Sequence, residues 1–229
     1  KNPPKFFFSV STDKAANPVN VMGASKSLME KIILSKKNIF RVSTARFANV
    51  AFSNGSLLDG FNYRINKKQP LSCPSDIKRF FVSKEQSGQI CLLATFLGDS
   101  GSIFFPKLDF DKDQIYFKDL ALDFLKEKGF KPLSKRSEKD AKDYIAKRDS
   151  NNYPIYFFKT DTSGEKKYEE FYTKEENINL SEYDSIGYIS TENIKISLDK
   201  VLDDFNKIFK DKDSNKLTVI KVLKKYLPD

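Results

Sequence analysis

The sequence predicts an α/β fold built on a parallel sheet. Short apolar runs suited to strands alternate with longer stretches of helical periodicity. The run at residues 6–10, "FFFSV", is near-continuously apolar, as strands are when helices cover both faces of a parallel sheet. Helix start and stop signals then bracket the stretches between the strands.

Each element follows in order. Residues 6–10 form a strand buried on both faces. Ala24, Leu28, Ile32 and Ile33 recur at helical spacing and predict a helix over residues 23–36. A strand over 39–45, the loop "FANVAFSNG" and a helix over 56–67 come next. Short strands at 69–73 and 79–82 flank the turn residues Pro74, Ser75 and Asp76. Ser83 and Gln86 make a capping-box pair, because the hydroxyl can accept from the Gln86 amide while the glutamine side chain returns to the Ser83 amide. That pair opens the helix "KEQSGQICLLATFLG", with Gly98 as its stop. "SIFFP" is a further strand.

Beyond residue 109 the texture changes to charged amphipathic helices at 117–128, 137–148 and twice from 192 onward. An aromatic strand, "YPIYFFKT", and a polar stretch, "DTSGEKKYEEFY", lie between them. A boundary near Phe110 therefore divides a core, 1–109, from an α+β extension, 110–229.

Composition narrows the chemistry. The chain has 229 residues and no histidine, which excludes a Ser-His-Asp triad, a Cys-His pair and a His-ligated zinc site. Proton transfer falls to Asp, Glu, Lys, Tyr or water. Two cysteines, Cys73 and Cys91, lie too far apart for a CxxC motif, so neither a disulfide scaffold nor a metal site is expected. The net charge of +9 comes from lysines interleaved with Asp and Glu, as on solvated helix faces, so nucleic acid is not expected as a partner. No run approaches the ~18 apolar residues of a membrane span, and no secretory signal is evident; a cytoplasmic protein is expected.

Three segments then stand together. "STDKAANP", Ser11 to Pro18, follows the first strand; "VMGASK", Val21 to Lys26, opens the first helix; "ARFANVAFSNGS", Ala45 to Ser56, follows the next strand. Ligands of open α/β sheets bind beyond the carboxyl ends of strands, which places the first and third segments at one crevice. Met22 and Lys26 are four apart and share a helical face. Taken singly, "STDK" is a turn or cap, Met22 is core filler and Lys26 is surface; the ordered series gives them weight.

"STDKAANPVNVMGASKSLMEKI" with "ARFANVAFSNGSLLDGF" resembles the polysaccharide-biosynthesis branch of the extended short-chain dehydrogenase/reductases, enzymes acting on UDP-N-acetylglucosamine and close relatives. The resemblance runs over roughly residues 1–105. It implies a Rossmann-like fold, NAD or NADP as cofactor, a nucleotide-sugar substrate and a homo-oligomer. The activity it implies is a 4,6-dehydratase: C4 is oxidised, which acidifies the C5 proton, and elimination of the C6 hydroxyl follows.

In that resemblance Thr12 bonds the C4 oxygen, Asp13 is the acid at the C6 oxygen and Lys14 the base at C5. Lys26 holds the nicotinamide ribose and eases C4-OH deprotonation electrostatically. Asn49 and the "SNGS" turn, including Ser56, contact sugar, and Arg79 in "IKRFF" meets the diphosphate. Met22 departs from the pattern, since most relatives carry tyrosine there and a thioether has no titratable proton.

No glycine-rich dinucleotide loop appears among the nine glycines, so the nucleotide-binding half is expected to lie N-terminal to this chain. An epimerase or reductase of the same fold is the alternative within the family, and a non-catalytic binding module the alternative outside it.

Overall fold

The computed structural model describes residues 2–146, 151–160 and 169–227. Strand β1 (Phe6–Thr12) leads through a 3-10 turn, Asp13–Ala15, into α1 (Val21–Leu34) and β2 (Arg41–Phe47). Then come β3 (Asn49–Val50), α2 (Leu57–Asn66), β4 (Leu71–Pro74), β5 (Lys78–Arg79), β6 (Phe81–Val82), α3 (Lys84–Phe96) and β7 (Ser102–Pro106). The tail holds β8 (Ile115–Tyr116), α4 (Phe117–Glu127), β9 (Lys131–Lys135), α5 (Glu138–Ala146) and β10 (Asn152–Phe158). Strands β11 (Asn177–Asn179) and β12 (Ile186–Ser190) and helices α6 (Leu198–Lys210) and α7 (Lys216–Tyr226) complete it. The end of the helix expected at 137–148, and most of the polar stretch after the aromatic strand, lie outside the described residues.

The chain divides into two units, each drawn from separated segments. One comprises Lys1–Phe47, Ser87–Lys107 and Glu169–Asp229; the other comprises Ala48–Gln86 and Leu108–Tyr168. Both units draw on segments from either side of the boundary expected near Phe110. The tail pairs into both sheets: β12 joins β7 antiparallel with Ile189 opposite Ile103, and β10 joins β4 with Ile155 opposite Leu71.

In the first unit the sheet runs β1-β2-β7-β12-β11, its first three strands parallel. Residues of β2 alternate between the two faces. Ser43 turns toward α3, donating to the Ala94 carbonyl at 2.6 Å, and Ala45 and Phe47 join Ile90, Ala94, Phe104 and Ile186 in one core. Arg46 turns the other way, toward Glu30 of α1. The apolar side of α1 packs Leu28 against Val201 of α6 and Leu223 of α7.

Strand β1 differs from its expected burial. It stands at the edge of the described sheet, so Phe7 (40%) and Val10 (52%) are exposed instead of covered. Gly98 also differs. It does not adopt the left-handed backbone of a helix stop; it is needed for size, since a Cβ there would lie 2.2 Å from Cε2 of Phe104. The capping box at α3 forms with both bonds: the Ser83 amide donates to Gln86 at 2.7 Å and the Gln86 amide to the Ser83 hydroxyl at 3.1 Å.

The second unit has a parallel sheet β4-β10-β9. Leu71, Cys73 and Ile155 of this sheet bury against Phe61 of α2 and Phe124 and Leu125 of α4.

Candidate active site

The carboxyl end of β1 delivers Thr12, Asp13 and Lys14 in one turn. Thr12 is extended (φ −144°, ψ 153°) and caps the 3-10 turn, its hydroxyl accepting from the Lys14 amide at 3.4 Å. The same hydroxyl donates to Oδ1 of Asp13 at 2.7 Å, and Nζ of Lys14 reaches that oxygen at 3.2 Å. Asp13 is buried, its side chain 3% exposed, whereas Lys14 is 36% exposed. A buried carboxylate held by a hydroxyl and an ammonium is satisfied, and its partner stays open to an arriving ligand.

Helix α1 starts beside this turn. Asn20 caps it by accepting from the Gly23 amide at 2.9 Å. Gly23 is required by close approach: a Cβ there would stand 2.5 Å from the Lys14 carbonyl oxygen, so only glycine lets the helix meet the turn. Lys26 is half-buried and its Nζ lies 3.5 Å from the Val10 carbonyl, on the β1 side of α1. Met22 is 48% exposed and makes no core contribution of the kind a lone apolar residue suggests.

Asn49, Ser56 and Arg79 belong to the second unit. Asn49 donates its side-chain amide to the Phe80 carbonyl at 3.1 Å, Ser56 caps α2 by accepting from the Asp59 amide at 3.3 Å, and Arg79 is buried with Nη1 on the Lys78 carbonyl at 2.7 Å. Each side chain thus has a local duty at its own element.

A network behind the turn was not evident from spacing. Ser11 donates to Oε1 of Glu30 at 2.5 Å, and Arg46 joins Glu30 to Glu176 of the tail. Arg46 lies inside the buried strand "RVSTARF", and a buried arginine needs a carboxylate partner.

No glycine-rich loop to seat a dinucleotide pyrophosphate is present in the sequence, and Lys26, expected at the nicotinamide ribose, has its Nζ against the Val10 carbonyl. Among the described residues no group of three His, Cys, Asp or Glu could hold a metal ion, and no helix is long and apolar enough to cross a membrane.

Comparison with known proteins agrees with this architecture. An uncharacterized membrane protein of Methanocaldococcus jannaschii is 34% identical over 187 residues, 79% of this chain and 50% of that protein. The UDP-N-acetylglucosamine 4,6-dehydratase (inverting) of Campylobacter jejuni is 34% identical over 116 residues, 47% of this chain and 34% of that protein. The UDP-glucose 4-epimerase of Rickettsia bellii is 39% identical over 107 residues, 43% of this chain and 30% of that protein. The chain spans half or less of the length of these relatives. In structure, Pen from Bacillus thuringiensis superposes with a TM-score of 0.62 at 23% identity, over 83% of this chain and 55% of Pen, which supports the fold. The sequence model of the polysaccharide biosynthesis protein family matches residues 4–191, so the chain, an extended short-chain dehydrogenase/reductase in fold, belongs to that family.

Proposed function

We propose that this chain is the substrate-side part of a nucleotide-sugar 4,6-dehydratase acting on UDP-N-acetylglucosamine or a close relative. The observation that carries the reading is the Thr12-Asp13-Lys14 array, with Lys26 on the adjoining helix. A 4,6-dehydration needs an acid at the C6 oxygen and a base at C5, side by side. Asp13 and Lys14 are such a pair in direct contact. Their 3.2 Å contact puts the two groups side by side, as the acid role given to Asp13 and the base role given to Lys14 require. The Thr12 proton, committed to Asp13, turns to the sugar C4 oxygen when substrate arrives.

When bound, NAD(P) supplies hydride acceptance and return. Lys26 contributes a positive charge near the ribose and the C4 oxygen, which favours transfer of the C4-OH proton to water. The loop that seats the pyrophosphate is assigned to sequence outside this chain. Support for that comes from the coverage of the relatives.

An epimerase of the same fold is the second reading, favoured by the similarity to UDP-glucose 4-epimerase. Proton NMR of the intact protein with UDP-N-acetylglucosamine separates the two. A new C6 methyl signal supports the dehydratase; inversion at C4 with the C6 hydroxyl kept assigns the epimerase.

A further inference from the structure

We propose that Glu176, carried by the tail, is a positioning residue for the reaction centre, acting through Arg46 and Glu30 on Ser11 and on the helix that bears Lys26. This rests on the proposed site of Thr12, Asp13 and Lys14.

Arg46 has five N–H donors, and all five are engaged. Nε and Nη2 reach the two oxygens of Glu30 at 3.0 and 2.8 Å; Nη1 and Nη2 reach those of Glu176 at 2.9 and 2.8 Å; Nη1 also donates to the Phe171 carbonyl at 2.9 Å. The guanidinium is a planar fork held on two sides, so its orientation is fixed in the plane of both carboxylates.

The consequence reaches the site by two short routes. Oε1 of Glu30 also accepts from the Ser11 hydroxyl at 2.5 Å, and Ser11 directly precedes Thr12. Glu30 lies one turn beyond Lys26 in α1, so a rotation of the helix at Glu30 moves Lys26 as well. The tail segment is itself secured. The Thr173 amide donates to Glu176 at 2.8 Å, Phe171 stacks on Phe105, and Glu170 accepts from Asn17, three residues past Lys14, at 3.0 Å.

Glu176 is the member that can be removed without unfolding the protein. Its side chain is 23% exposed against 4% for Arg46 and Glu30, so water can take its place while the buried pair survives. Arg46 would then keep three of its five bonds and gain freedom to tilt.

The test compares wild type, Glu176→Gln and Glu176→Ala in the intact protein by turnover of UDP-N-acetylglucosamine and by amide hydrogen exchange. The Ala variant is expected to lose about tenfold in kcat with KM little changed, since displacement of a reacting group by a fraction of an ångström costs rate more than binding. Gln keeps one acceptor and should fall between. Exchange should quicken at the amides of Lys14 and Ala16, bonded to Thr12 and Asp13, and stay unchanged at the Gly101 amide, bonded to Val42. Wild-type kcat in Glu176→Ala, or quickened exchange at Gly101 equal to that at Lys14, overturns the proposal. If wild type turns over no nucleotide sugar, the assigned activity falls, and exchange decides alone: unaltered rates at Lys14 and Ala16 sink the positioning role.

Discussion

Glu30 and Arg46 meet as fork to fork, with parallel hydrogen bonds of 3.0 and 2.8 Å and both side chains 4% exposed. Burial disfavours the charged guanidinium, but the carboxylates of Glu30 and Glu176 outweigh it and hold the arginine above its ordinary range. The pair ties α1 to β2 on the face opposite α3, and so fixes the helix that borders the candidate site.

Breaking this pair from one side should therefore be costly. Arg46→Met leaves Glu30 buried without its cation and should destabilise the protein by about 3–5 kcal/mol, whereas exposed pairs contribute under about 1 kcal/mol. Combining it with Glu30→Gln should recover part of the loss. Urea unfolding of the two single variants and the double variant measures this. A loss below about 1 kcal/mol for Arg46→Met would show that the pair is solvated.

Much of this arrangement is legible along the chain, and the illegible part has a common cause. Local chemistry predicted α1, α2, α3, β7 and β10, and the Ser83–Gln86 box formed as spaced. Thr12, Asp13 and Lys14 are adjacent in sequence, so their contact needed no tertiary information. The return of β12 to β7 pairs residues eighty or more positions apart, and nothing local marks such a pairing. Glu176 escaped for the same reason. Gly23 hides because a glycine near a helix start reads as neutral until the Lys14 carbonyl is seen against it.

Cys73 provides a pH test of the second core. Burial pushes its thiol up to about 12 from an ordinary 9.0. The unfolded chain ionises first as pH rises, so the stability from keeping this thiol neutral is complete below about pH 9 and is lost as pH climbs toward 12. Replacing it by alanine should then cost more at pH 8 than at pH 11, in unfolding midpoints compared with wild type. A cost that stays constant or grows with pH would contradict the buried neutral thiol.

Met22 and Lys26 share one side of α1 and should differ sharply in consequence. Met22→Leu conserves volume and polarity and should cost less than about 1.5 kcal/mol of stability, with turnover near wild type. Lys26→Ala should lower turnover about a hundredfold if its charge assists proton loss at the C4 oxygen. The ratio at saturating substrate is the informative quantity. Equal damage from both changes, with the fold intact, would give Met22 a substrate-positioning role that leucine cannot fill.

The most direct test of the proposed dehydratase is the fate of the C5 proton in deuterium oxide, followed by proton NMR in the intact protein with UDP-N-acetylglucosamine. The account predicts that wild type exchanges C5 with solvent and forms a C6 methyl group. Asp13→Asn should keep the exchange while slowing loss of the C6 hydroxyl, and Lys14→Ala should lose the exchange. A wild-type product that retains its original C5 proton and its C6 hydroxyl would contradict the account and leave an epimerase in its place.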